Sequence, residues 1–81
     1  MDHKVFKTSD IILAACLRLH QYPLMSIELV GNKGTFVFEN VVDDLITEYD
    51  LGNLMVEPVS FNNAIKQLTT SVRRMASKGA E

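Results

Sequence analysis

Apolar and polar positions alternate across Met25-Ser-Ile-Glu-Leu-Val-Gly-Asn-Lys-Gly-Thr-Phe-Val-Phe-Glu39, and two β-favouring runs there flank a Gly-Asn-Lys-Gly turn. Residues that tolerate positive φ at a tight turn predict a hairpin, here with Asn32-Lys33 as its two-residue loop. With Gly31 facing Gly34, Leu29 faces Phe36 and Ile27 faces Phe38, and these four form an apolar face. The other face pairs Val30 with Thr35, Glu28 with Val37 and Ser26 with Glu39. A slip of one residue sets Glu28 against Phe38 and turns the apolar set outward, so the first register is expected to win. The outer face is more apolar than a solvated one should be, which predicts cover by the second helix or by a second copy of the chain. A phosphate-cradling role for the two glycines is not expected, because the Gly-x-x-x-x-Gly-Lys-Ser/Thr spacing is missing and no helix signal follows Gly34.

Helical signals surround this ribbon. Residues 11 to 17 are apolar on every side, which predicts a buried helix, with Thr8 or Ser9 as its cap and Asp10 complementing its dipole. Tyr22-Pro23 should end it. Asn40 reads as the cap of a second helix, in which Asp43 and Asp44 occupy the first turns. Val41 or Val42, Leu45, Ile46 and Tyr49 recur there at helical spacing, and Gly52 is its expected stop. Leu54-Met55-Val56, bounded by Gly-Asn and Pro58, reads as a third strand at an edge of the hairpin. The last helix, capped by Ser60, carries Phe61, Ile65, Leu68, Val72 and Met75 at spacings of 4, 3, 4 and 3. The predicted order is helix, strand, strand, helix, strand, helix. The expected fold is an α+β domain with a small three-stranded antiparallel sheet and three helices. Residues 1–6 and 77–81 are expected to be loose ends of this single domain.

Size and composition narrow the function. Eighty-one residues suit one core, and a 47% hydrophobic fraction is enough to build it. No run of about 18 apolar residues predicts a membrane span. The first residues lack a signal peptide's apolar stretch, and a lone cysteine suits a reducing compartment, so a cytoplasmic protein is expected. A net charge of -2 argues against binding nucleic acid or acidic membranes over the whole surface. The distribution of that charge says more. Glu39 to Glu57 holds six acids and no Lys or Arg, whereas Phe61 to Lys78 holds four bases and no acid. Such segregation can serve pairing within the chain, self-association or an external partner.

Candidate chemistry is sparse. His3, Cys16 and His20 are the soft metal ligands, and only Cys16 and His20 stand at a usable spacing, so no metal site is predicted. Cys16 lies in an apolar stretch, where burial raises a thiol's pKa and blocks access. Asp43, Asp44 and Glu48 cluster on one helix as a solvated face, without the unlike environments that acid–base pairs need. No catalytic residue, cofactor or small-molecule substrate is predicted, and the protein is not expected to be an enzyme. Two surfaces remain. Lys66, Arg73, Arg74 and Lys78 on the last helix, with Asn62, Thr69 and Thr70 nearby, suit nucleic-acid or partner contact. Asp43, Asp44 and Glu48 form an acidic face for a partner. A domain this small gains from a partner, and a homodimer is the commonest one.

Three segments carry a resemblance: Phe6-Lys-Thr-Ser-Asp10, Thr35-Phe-Val-Phe-Glu39, and Val56-Glu-Pro-Val-Ser-Phe-Asn-Asn-Ala-Ile65. Over about residues 4 to 75 the chain resembles a family of small uncharacterised bacterial and phage proteins, a domain-of-unknown-function family. The resemblance implies a bacterial or mobile-element origin and a cytoplasmic life, and brings no activity, cofactor or binding residue with it. The last helix departs from the pattern, since Lys66-Gln-Leu-Thr-Thr-Ser-Val-Arg-Arg74 has two Thr where more basic character is expected. The expectation is a small non-enzymatic interaction module, dimeric, acting as an accessory protein in a bacterial or phage process. The alternative is a nucleic-acid-binding accessory protein that uses Lys66, Arg73, Arg74 and Lys78.

Overall fold

Phe6 and Thr8 alternate with Val5 and Lys7, and this short period-two run forms a strand on the open edge of the hairpin's second arm. A computed structural model of the chain describes residues 4–31 and 33–79, the side chains of the last two excepted. Its elements are β1 (Val5–Thr8), α1 (Ile11–Leu19), β2 (Ser26–Val30), β3 (Lys33–Glu39), α2 (Asp43–Asp50) and α3 (Pro58–Gly79). The sheet is antiparallel with order β1-β3-β2, so the class is the predicted α+β with three strands and three helices.

The third strand is not the predicted one. Val5 and Phe6, expected in a loose end, are strand residues, and Leu54-Met55-Val56 is irregular, with Met55 85% exposed. Pairing on β3 explains the outcome. β1 places Phe6 opposite Phe38 and Thr8 opposite Phe36, and with β2 on the other side both edges of β3 are filled. β-Propensity describes fit to a pleated, half-buried surface, so an apolar triplet away from such a surface need not pair. At the other end α3 continues through Ser77 to Gly79, and residues 80 and 81 lie outside the described residues.

The hairpin register differs from expectation by two residues. Val30 is opposite Lys33, Leu29 opposite Gly34 and Ile27 opposite Phe36. The loop is therefore Gly31-Asn32, with Gly31 at φ 63° and Asn32 outside the described residues. A shift of two preserves every side chain's face, because the strand repeat is two. Gly34 is thus a strand residue. A Cβ there would stand 2.7 Å from Cγ2 and 3.3 Å from Cγ1 of Val72, so the glycine admits α3 against the sheet.

The helix ends also rearrange the expected caps. Asp10, not Thr8 or Ser9, caps α1, its Oδ1 accepting from the amides of Ile12 (3.0 Å) and Leu13 (3.2 Å). Thr8 instead accepts from the Asp10 amide through Oγ1. Val42 stands at the N-cap of α2 without a side-chain bond, while Asn40, at φ 57°, turns the chain out of β3 and donates its amide to the Lys4 carbonyl. Gly52 ends α2 as expected, at φ 75°: its amide and that of Asn53 return to the carbonyls of Tyr49 and Glu48. Glu57 replaces Ser60 as the cap of α3 and accepts from the amides of Val59 (2.8 Å) and Ser60 (2.9 Å), with Pro58 in the first turn. These amide bonds hold the Glu57 carboxyl below its usual range.

The core joins Leu13, Ala14, Ala15 and Leu17 of α1 to Phe36 and Phe38 of β3 and to Ala64 and Leu68 of α3. Leu45, Ile46 and Tyr49 of α2 pack on the same cluster. All three helices therefore share the inner face, and the molecule is only 18 Å thick, one sheet and one helical layer. The predicted cover of the outer sheet face by α2 does not occur. Val37 is nevertheless only 8% exposed there. Lys7 of β1 stands directly beside it and reaches Glu28 across the central strand, Nζ lying 3.2 and 3.1 Å from the two carboxylate oxygens. The lysine's alkyl stem shields the valine while its charge stays wet.

A cationic groove between the first and last helices

Helix α3 turns its apolar stripe inward, and its 22 residues span about 33 Å. The opposite side presents Lys66, Thr70, Arg73 and Arg74, all exposed. Arg18, in the last turn of α1, comes up beside this helix and donates from Nη1 to Gln67 Oε1 at 3.4 Å. Arg18, Lys66, Gln67, Thr70, Ser71 and Arg74 line a groove of about 400 Å³. Three cations and three uncharged hydrogen-bonding side chains thus face one depression, and no lining residue is acidic. Arg18 also borders two adjoining depressions, one with Tyr22 and Pro23 and one with Ser60 and Asn63. It is the point where these surfaces meet.

The predicted basic cluster is therefore divided. Lys66 and Arg74 share the groove, whereas Arg73 lines a separate crevice with Lys33, Thr69 and Val72, on the side of α3 near Gly34. The side chain of Lys78 lies outside the described residues. Sequence reasoning missed Arg18, which follows directly on the apolar run of residues 11 to 17. Its one signal was being the sole charged residue between Ile11 and Leu19.

Asp43, Asp44 and Glu48 are all exposed on α2, as expected. Among the described residues no ion pair joins Asp43, Asp44 or Glu48 to Lys66, Arg73 or Arg74. The Tyr49 hydroxyl ties α2 to the start of α1 by donating to Asp10 Oδ2 at 2.7 Å. Burial first, then this hydrogen bond and the surrounding negative charge, push the Tyr49 phenol up to about 12.

Cys16 is in the core, and burial, with a contribution from Asp10, pushes its thiol up. His20, four residues on, is exposed at the C-cap of α1, so the two do not share an environment. His3 lies outside the described residues, and among the others no three His, Cys, Asp or Glu side chains gather as metal ligands do. No described helix is long and apolar enough to cross a membrane.

No protein-family model matches this chain, and neither a curated protein nor a solved structure does.

Proposed function

We propose that this chain is a small non-enzymatic interaction module that holds an anionic partner against the α1–α3 groove, as a cytoplasmic accessory protein in a bacterial or phage process. The observation that carries the proposal is the convergence of Arg18, Lys66 and Arg74 from two helices on one depression free of carboxylates. Basic residues near a helix C-terminus often only complement its dipole. Arg18 does complement the dipole of α1 from its last turn, but Lys66 sits near the middle of α3 and Arg74 more than a turn before its end, so helix dipoles do not account for the cluster as a whole. Because the cations are exposed, attraction here is screened by salt and each pair contributes little, which favours a reversible contact. Placing the thiol of Cys16 in the core supports a binding role over nucleophilic chemistry.

A nucleic-acid backbone is the second reading, favoured by the Gln67, Thr70 and Ser71 side chains set among the cations, as phosphate contacts require. Fluorescence anisotropy with a labelled poly-glutamate peptide and a short labelled single-stranded oligonucleotide tests both. At low salt the wild type should bind an anionic probe, and Lys66→Glu with Arg74→Glu should abolish binding while Lys33→Glu does not. Tighter binding of the oligonucleotide, with an affinity falling steeply in salt, selects the second reading. No binding of either probe, or an equal loss in the Lys33 variant, overturns both.

A further inference from the structure

We infer that the occupant of the groove is a second copy of this chain, which docks the acidic face of its α2 along the outer side of α3. This rests on the groove being the working surface, and it names the partner. Both halves of the contact are present in one molecule. Asp44 and Glu48 of α2 and Leu51 at its C-cap, still in helical backbone geometry, are spaced 4 and 3 apart and so share a face, and Leu51 is 66% exposed. On α3, Val59 stands two turns before Lys66 on the same outward side and is also 66% exposed. Each charged stripe thus carries an uncovered apolar residue in line with its charges. An acidic face with one apolar residue fits a basic face with one.

The charge balance favours a copy over a polyanion. Residues 39–57 hold six acids and no base, residues 58–79 hold four bases and no acid, and the net charge is only -2. Two copies can meet opposite face to opposite face with little net repulsion. A nucleic acid drawn to the groove would be repelled by the acidic segment of the same small molecule. The Tyr49–Asp10 hydrogen bond anchors α2 to α1, so the acidic face is presented by a fixed element. Each copy has both faces, so the contact closes as a reciprocal pair or continues head to tail. The charges of both faces are exposed and screened by salt, so the association is expected to be weak and to depend on protein concentration.

Sedimentation velocity on the full chain tests this. The mass of the wild type should rise with concentration at low salt and return to that of a monomer at high salt. Asp44→Lys with Glu48→Lys, and Lys66→Glu with Arg74→Glu, should each be monomeric alone, and an equimolar mixture of the two should associate. Circular dichroism checks that each remains folded, and Glu48→Lys alone replaces the double variant if that one is not. A wild type that stays monomeric, variants that associate as the wild type does, or a mixture that fails to associate overturns the inference. If the wild type is monomeric yet binds the poly-glutamate peptide through Lys66 and Arg74, the groove stands and the copy falls. If it is monomeric and prefers the oligonucleotide, the groove belongs to nucleic acid.

Discussion

Gly34→Ala tests how α3 is seated, and the cost can be worked from the distances around it. The new methyl would lie 2.7 and 3.3 Å from the two Val72 methyls and 3.6 Å from Cγ2 of Ile27. Carbon pairs are comfortable at about 3.5–4.0 Å, so one contact must open by about 1 Å and another by a few tenths. Val72 cannot easily turn away, because a β-branched side chain in a helix holds one preferred χ1. Either Val72 leaves its rotamer or α3 lifts from the sheet, and overpacking of this kind costs about 1–3 kcal/mol. Restricting the unfolded chain returns about 0.4–1 kcal/mol. Mid-range values of about 2 and 0.7 kcal/mol give a net loss of about 1.3 kcal/mol, or a fall in Tm of about 5–10 °C for a domain of this size. Urea and thermal denaturation would measure it. Val72→Ala should relieve the clash, so the double variant should be more stable than the sum of the single losses by at least about 0.5 kcal/mol. A Gly34→Ala protein as stable as the wild type, or strict additivity with Val72→Ala, would refute the close approach.

Four further outcomes are expected. Asp10→Ala removes the α1 cap and the acceptor for Tyr49 together and should cost about 2 kcal/mol in denaturant unfolding, while Asp10→Asn should cost clearly less. The Tyr49 phenol is raised from an unfolded value of about 10 to about 12, so its stabilisation is complete below pH 10 and lost between 10 and 12; Tyr49→Phe should flatten that alkaline fall in Tm. Glu57 is shifted the other way, so what it lends to α3 is complete above the ordinary carboxylate range and lost as the pH falls through its lowered value; the Val59 and Ser60 amide resonances should titrate with a midpoint below that of an ordinary carboxylate, and Glu57→Gln should remove that titration. Gln21 ends α1 at φ 71°, so Gln21→Gly should raise stability by about 0.5–1 kcal/mol, and a lower Tm would contradict this.

Legibility followed the range of the interaction. The faces of the hairpin, the buried run of α1, the stripe of α3 and the stop at Gly52 are written in local periodicity and turn chemistry, and they were readable. The hairpin's register was readable only modulo two, since Leu29 lies on the inner face whether it meets Phe36 or Gly34. Gly34 misled because glycine has two uses: it resembled a turn residue and is needed for the approach of Val72. The caps failed for a related reason, as Thr8, Ser9 and Asp10 are adjacent residues of cap-forming types, and Asp10 takes the Ile12 and Leu13 amides while Thr8 takes that of Asp10. Strand β1 was hidden because four residues with two inward positions carry little pattern until β3 lies beside them. The same holds for the site. On α3 the seven-residue spacing grouped Lys66 with Arg73 on sight, whereas the groove takes Arg74, eight residues on, and leaves Arg73 in the other crevice. Arg18 joins Lys66 across 48 residues of chain, through the packing of α1 on α3.

The unforeseen strand also decides where a partner can sit. From the hairpin alone, Val30, Thr35 and Val37 looked like a surface in need of cover. β1 brings Lys7 to that surface, and its ion pair with Glu28 lies across the strand that carries Val37. The pair itself, half-exposed on both sides, adds at most about 1 kcal/mol to stability. Its larger effect is to set two charges at the centre of the outer sheet face, beside a Val37 that is only 8% exposed, while the exposed Val5 and Val30 stand apart at its corners. A partner seated there would have to strip water from both charges for a small apolar gain, which is a poor exchange. The helical layer offers the opposite terms. Arg18, Lys66 and Arg74 face no acid in their groove, and Asp43, Asp44 and Glu48 meet none of those bases within the chain. A partner there can neutralise charges that do not pair with one another among the described residues, so strand β1 moves the question of partners from the sheet to the helices.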